Sequence, residues 1–144
     1  MSLVKRVVPP EERQVPLLMG LLFREVSATF AAEDWGGLRQ SHFRMISSVP
    51  PDGISVTELA ERVGMTKQGC GQFVTSLVGS GHLRVEQDPA DGRVRLVRRT
   101  PKGARTMAAV TERILAIEEG WAAQVGERRY RTFRRVLEQL ALDQ

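Results

Sequence analysis

The chain has 144 residues, 42% of them hydrophobic and 26% charged, with a net charge of +4. That is enough for one hydrophobic core and excludes a disordered or fibrous composition. Its single cysteine excludes an internal disulfide, and no stretch approaches the roughly 20 apolar residues of a membrane helix.

Met1 to Pro10 holds only isolated apolar residues, so no secretory leader is expected and the cytoplasm is the expected location. A pI near 10.0 leans towards an anionic partner, although charge alone is a weak signal.

The first helix is predicted from Glu11 to about Glu33, with Val15, Leu18, Leu22, Val26 and Phe30 at helical spacing. Leu17 and Leu21 widen that face towards a second neighbour, and Trp35-Gly36-Gly37 breaks the helix. A second helix is expected over Leu38 to Ser48, without one clean stripe, and Pro50-Pro51-Asp52-Gly53 stops it.

Ser55-Val56-Thr57-Glu58 reads as a capping box, opening a short helix with Val56, Leu59, Ala60 and Val63 inward. Gly64 ends that helix as a left-handed cap, and Thr66 caps the next. Two helices separated by so short a Gly-bearing turn form a helix-turn-helix.

The helix from Thr66 to Ser80 turns Cys70, Phe73, Val74, Leu77 and Val78 inward. Gln68, Gln72, Thr75 and Gly79 fall on the other face, with Gly71 at its margin and Lys67 near the start. Solvated faces usually carry Glu and Lys. This polar, nearly uncharged one suits a surface that enters a groove and hydrogen-bonds there.

After Gly81, His82 to Gln87 reads as a strand, Asp88-Pro89-Ala90-Asp91-Gly92 as a turn, and Arg93 to Arg99 as the return strand. Val94 and Leu96 are expected inward, Arg93 and Arg95 outward. Between Arg84 and Lys102 stand six basic and three acidic residues, a net +3 for this hairpin. Thr100-Pro101 opens a long helix with Met107, Val110, Ile114, Ile117 and Trp121 in a heptad seam. Gly126 interrupts it, and a last helix from Glu127 to Leu142 repeats the pattern with Tyr130, Phe133, Leu137 and Leu140.

The expected fold is therefore mainly α with a small β-hairpin wing. It is a winged helix-turn-helix in one domain over residues 1–144, with N- and C-terminal dimerisation helices. The DNA-binding lobe is expected at about 38–103 and the dimerisation helices at about 11–33 and 104–142. Part of each terminal seam is intramolecular core; the rest is expected to pair two chains, because a helix-turn-helix usually reads two half-sites.

At these residues the chain resembles the multiple-antibiotic-resistance regulator (MarR) family of winged-helix transcription factors. The most specific stretches are Asp88-Pro89-Ala90-Asp91-Gly92-Arg93 and Thr100-Pro101-Lys102-Gly103. Leu59-Ala60, Gly64, Leu77 and Gly81 fit the helix-turn-helix pattern. The resemblance implies a homodimer joined through its end helices, operators with two-fold symmetry and frequent release by a small, often aromatic, ligand. Repression is the family's commoner mode. Arg99 departs from the pattern, which usually has an apolar residue there. Gly69 and Gly71 are costly inside a helix; close approach of backbone to DNA and a helix that orders on binding remain equal readings.

The expected DNA contacts are Lys67, Gln68, Gly71, Gln72, Thr75, Arg93 and Arg95. Gln68 and Gln72 suit bases, Lys67 and Thr75 phosphates, and Arg93 a narrow minor groove, with Asp91 supporting the Arg93 guanidinium. Trp35, His42 and Phe43, on the link between the lobes, are candidates for a ligand cleft, with simple core packing an equal alternative. No metal, cofactor or catalytic constellation is expected: the two histidines, His42 and His82, stand on different elements, and no phosphate loop or nucleophile elbow appears. Two other readings stand beside the DNA reader. One is a winged helix that docks protein, against which the basic wing argues. The other is a redox sensor through Cys70, against which its apolar surroundings argue.

Overall fold

The computed structural model describes residues 7–142. Within them lie α1 (Val15–Ala31), α2 (Gln40–Ser47), β1 (Ile54–Ser55), α3 (Val56–Val63), α4 (Lys67–Gly79), β2 (Leu83–Gln87), β3 (Arg95–Arg99), α5 (Pro101–Val125) and α6 (Glu127–Leu142). The chain divides into two compact units, one ending at Met107 and one beginning at Ala108. The class is the expected one: mostly helical, with a small antiparallel sheet.

The first helix starts four residues later than the expected Glu11. Pro10–Glu12 form a single 3-10 turn, and Pro16 stands in the first turn of α1. A helix begun at Glu11 would carry that proline in its interior, where it lacks an N–H and clashes with the preceding turn. Of the expected stripe only Phe30 is buried; Val15, Leu18 and Leu22 are exposed, together with Met19 and Phe23.

The helix-turn-helix is built by its caps. Ser55 Oγ accepts from the Glu58 amide at 3.2 Å and Thr66 Oγ1 from the Gly69 amide at 3.0 Å. Gly64 ends α3 in the left-handed region at φ 69°, conformational space that an L side chain enters only at a cost. The core beneath joins Met45, Ile46 and Val49 from the α2 region to Leu59 and Val63 of α3, Cys70, Val74 and Leu77 of α4, and Leu83 and Val97 of the sheet. Leu59 and Leu77 are fully buried. Truncating either to Ala should cost about 2–5 kcal/mol. Val78, expected inward, is exposed instead. It lies next to Leu77 at the edge of the helix's inner face, and the core closes on Leu77.

The sheet has three strands in the order β1-β3-β2, not the two of a simple hairpin. Ile54 pairs with Val97 and Ser55 with Leu96; on the other side Leu83 pairs with Arg99 and Val85 with Val97. This register corrects the expected face of the return strand. Val97 is the buried residue, while Leu96 and Val94 are only half-buried. Val97 shares its face with Ile54 and Leu83, both core residues, so Leu96 falls on the opposite one.

The wing root is fixed by Thr100, Lys102 and Gly103. Thr100 Oγ1 donates to the Gly81 carbonyl at 2.5 Å and accepts from the Gly103 amide at 3.0 Å, while Lys102 Nζ donates to the Ser80 carbonyl at 2.8 Å. Gly103 lies so near the His82 carbonyl oxygen that a Cβ there would collide with it. Thr-Pro-Lys-Gly therefore locks the start of α5 onto the end of α4.

In the second unit Tyr130 of α6 donates its hydroxyl to Glu118 of α5 at 2.7 Å, and its ring lies 5.9 Å from that of Phe133. Desolvation and the Glu118 carboxylate push the Tyr130 phenol up to about 12. Ile117, Trp121, Tyr130 and Leu137 of the expected seams are half-buried, but Ile114, Phe133 and Leu140 are exposed, as are Leu115 and Val136. Among the described residues no helix is long and apolar enough to cross a membrane.

Candidate nucleic-acid interface

Helix α4 presents Lys67, Gln68, Gln72 and Thr75 to solvent, at positions 1, 2, 6 and 9 of the helix, with Gly71 half-buried among them. Gln68 and Gln72 are one turn apart, so two amide groups project from the same side. A Gln amide offers one acceptor and two donors, the pattern that pairs with an adenine edge. Thr75 Oγ1 donates to the Gly71 carbonyl at 2.9 Å, so its proton is held within the helix and its lone pairs face outward.

The two glycines of α4 separate in role. A Cβ on Gly69 would stand 3.1 Å from Thr66 Oγ1, so this glycine lets the capping hydroxyl approach. A Cβ on Gly71 would meet nothing within 4 Å. Gly71 is thus a gap in an exposed face, left open in the protein itself.

The wing is stiffened by its acids. Asp88 Oδ1 accepts from the Ala90 amide at 2.9 Å, and Asp91 Oδ1 from the Arg93 amide at 3.0 Å. Asp88 N–H donates to the Val94 carbonyl at 2.8 Å and Val94 N–H to the Asp91 carbonyl at 3.0 Å. Asp91 therefore holds the backbone of Arg93 and not its guanidinium, contrary to the expectation. Asx turns of this kind explain two carboxylates in a basic hairpin. Arg93 and Arg95 remain exposed, and Arg93 has no ion pair among the described residues. Behind them Arg98 is paired with Glu86 and donates to the Pro51 carbonyl at 3.2 Å. Arg99 is bound to the Ile46 and Ser47 carbonyls at the end of α2.

Trp35 and Phe43 come together as expected, and Phe30 joins them. The ring centroids lie 5.3 Å (Phe30–Trp35), 5.2 Å (Trp35–Phe43) and 5.6 Å (Phe30–Phe43) apart. They wall a cleft of about 340 Å³, lined also by Ser27, Leu38, Arg39 and Gln40. Trp35 Nε1 is buried without a hydrogen-bond partner among the described residues. His42 is not in this wall. Its Nδ1 accepts from the Arg39 amide at 2.9 Å, and its ring stands edge-on to Phe73 of α4 at 5.5 Å. Phe30 and Arg39 were missed as cleft residues, because a helical stripe and a lone arginine carry no pocket signal.

Cys70 is fully buried, and desolvation raises its thiol pKa, the opposite of what a reactive thiolate needs. His82 is also buried, its Nδ1 2.7 Å from Ser80 Oγ. Burial, then the nearby Lys102, lower its pKa. Neither residue opens onto the exposed face of α4.

Residues 43–94 match the sequence model of the MarR family. An uncharacterized protein of Mycobacterium bovis is 30% identical over 108 residues, covering 75% of this chain and 73% of that one. Among solved structures, MarR superposes with a TM-score of 0.79 at 19% identity, covering 95% of each chain. CouR from Rhodococcus jostii RHA1, solved with p-coumaroyl-CoA bound, superposes with a TM-score of 0.66 at 18% identity, covering 90% of each. At such identities the structural likeness speaks for the fold.

Proposed function

The chain belongs to the MarR family of winged-helix regulators, and from that premise we propose that it is a homodimeric repressor released from a pseudo-palindromic operator by a small ligand. The reading rests chiefly on one observation: an exposed α4 face of Gln68, Gln72 and Thr75 around the Gly71 gap, beside a wing whose Arg93 and Arg95 are exposed. A face of uncharged donors and acceptors reads base edges; free guanidinium groups hold the phosphate backbone and the minor groove. In this reading residues 38–103 form the DNA-binding lobe, and residues 11–33 and 104–142 pair the two chains. The exposed Leu18, Met19, Leu22 and Phe23 of α1 support that pairing, since a lone chain would leave them in water.

The ligand part of the reading is supported by the cleft. Phe30, Trp35 and Phe43 offer faces and edges to an aromatic ring. The buried Trp35 N–H lacks an acceptor among the described residues, and Arg39 supplies a positive charge in the wall. An aromatic carboxylate would satisfy both. A ligand that binds the DNA-free geometry more tightly lowers operator affinity by that difference.

Selection of duplexes from a random pool tests the proposal. It should return a two-fold symmetric site with half-site centres about 10 bp apart. Enrichment of no sequence over the starting pool would overturn it and favour a winged helix that docks protein.

A further inference from the structure

Helix α6 carries five arginines, at 128, 129, 131, 134 and 135, no lysine, and two acids, Glu127 and Glu138. All five arginines are exposed. At 3.6 residues per turn Arg128, Arg131 and Arg135 fall within roughly 60° of one another and span about 10 Å of helix axis. Tyr130, Phe133, Leu137 and Leu140 occupy the opposite side, with Val136 and Arg129 at its margin, so whatever covers the apolar side leaves the arginine row in solvent. Of these five arginines only Arg134, off this row, has an ion pair among the described residues, with Glu138 at 3.2 Å.

A face that is merely solvated alternates its charges, because like charges three and four residues apart repel by a few tenths of a kcal/mol each. This row places like charges at both spacings with no acid between them; Glu127 and Glu138 stand only at its two ends. The second unit is not basic as a whole: its six basic and six acidic residues cancel, and the excess of +3 is gathered on α6. Guanidinium groups match phosphate oxygens bidentately, which an ammonium cannot do. A membrane-surface helix would need its apolar side free as well. Here Tyr130 on that side is bonded to Glu118 of α5, and the pairing of chains proposed for residues 104–142 would cover the exposed Phe133, Val136 and Leu140.

We propose that Arg128, Arg131 and Arg135 form a second, sequence-independent binding face for the phosphodiester backbone of duplex DNA, separate from α4 and the wing. Only the choice of polymer rests on the DNA-binding reading.

The test is the salt dependence of binding to a non-specific duplex, followed by fluorescence anisotropy on the full chain. Arg128→Gln, Arg131→Gln and Arg135→Gln should each flatten the log–log slope by about 0.9, and the triple variant by about 2.7. The triple Arg→Lys variant should keep most of the slope, and sequence preference at the selected operator should not change in any of them. Slopes equal to wild type in all three single variants overturn the proposal while leaving operator reading intact. No duplex binding by the wild-type chain at low salt overturns both. Loss of binding to phosphatidylglycerol vesicles, with duplex binding unchanged, also overturns it.

Discussion

The guanidinium of Arg99 donates to the Ile46 carbonyl at 2.9 Å and to the Ser47 carbonyl at 3.0 Å. A residue of the returning wing strand therefore closes the open end of α2, the helix that supplies Phe43 to the aromatic cleft. The carbonyls at a helix C-terminus carry partial negative charge, so a cation there is favourable. Arg99→Leu, the residue type the family pattern favours here, strands both carbonyls. It should cost about 1.5–3 kcal/mol, as removing bonds to charged groups does. Thermal melting of the two proteins checks this; equal melting temperatures would mean that the apolar side chain compensates.

Gly71→Ala separates the two meanings of that glycine. The added methyl meets open space, so α4 should gain about 0.5–1 kcal/mol of stability. If the gap admits DNA backbone, operator affinity falls although the protein melts higher. Tighter binding by the stabilised variant would show instead that the glycine only loosens the helix.

The phenol of Tyr130 links stability to high pH. It holds its proton to about 12 when folded, against an ordinary value of 10.0. Burial of the neutral phenol, together with its hydrogen bond to Glu118, thus stabilises the fold fully below pH 10, and that contribution is lost as pH rises from 10 to 12. Denaturant titrations across this window should show wild type losing stability faster than Tyr130→Phe. Parallel losses would place the effect elsewhere.

Phe23 is 61% exposed on α1, beside Met19. Sedimentation should give twice the 16.1 kDa chain mass at micromolar concentration, and Phe23→Glu should shift the chain towards monomer without lowering its helix content. A wild-type monomer that binds the selected operator as tightly would remove pairing from the account.

What the sequence disclosed was local. Ser55, Gly64, Thr66 and Gly81 act on amides and carbonyls within a few residues, as Thr100 does on the Gly103 amide, so α3, α4 and the wing stood where the caps placed them. What it hid was non-local. β1 is only Ile54–Ser55, too short for a pattern, and exists through its pairing with Val97 and Leu96. That pairing also decides which side of β3 is buried, a choice that Leu96-Val97, two adjacent apolar residues, leaves open. Of the cleft, Trp35 and Phe43 were legible as aromatics on one link. Phe30 was not tied to them, because its contacts with Trp35 and Phe43 exist only once the chain between α1 and α2 has folded the three rings together. His42 was near them in sequence, but its ring contact is with Phe73 of α4.

On this account the wing meets DNA through side-chain charge. The most direct measurement is the salt dependence of operator affinity for wild type and Arg93→Ala. Arg93 is exposed, and Asp91 holds it through the backbone amide, which alanine keeps. The variant should bind more weakly, with a log–log slope flatter by about one for each phosphate that its guanidinium no longer neutralises. Melting temperature and dimer mass should not change. A variant that melts earlier while its folded fraction keeps wild-type affinity and slope would make Arg93 a structural residue and contradict the account.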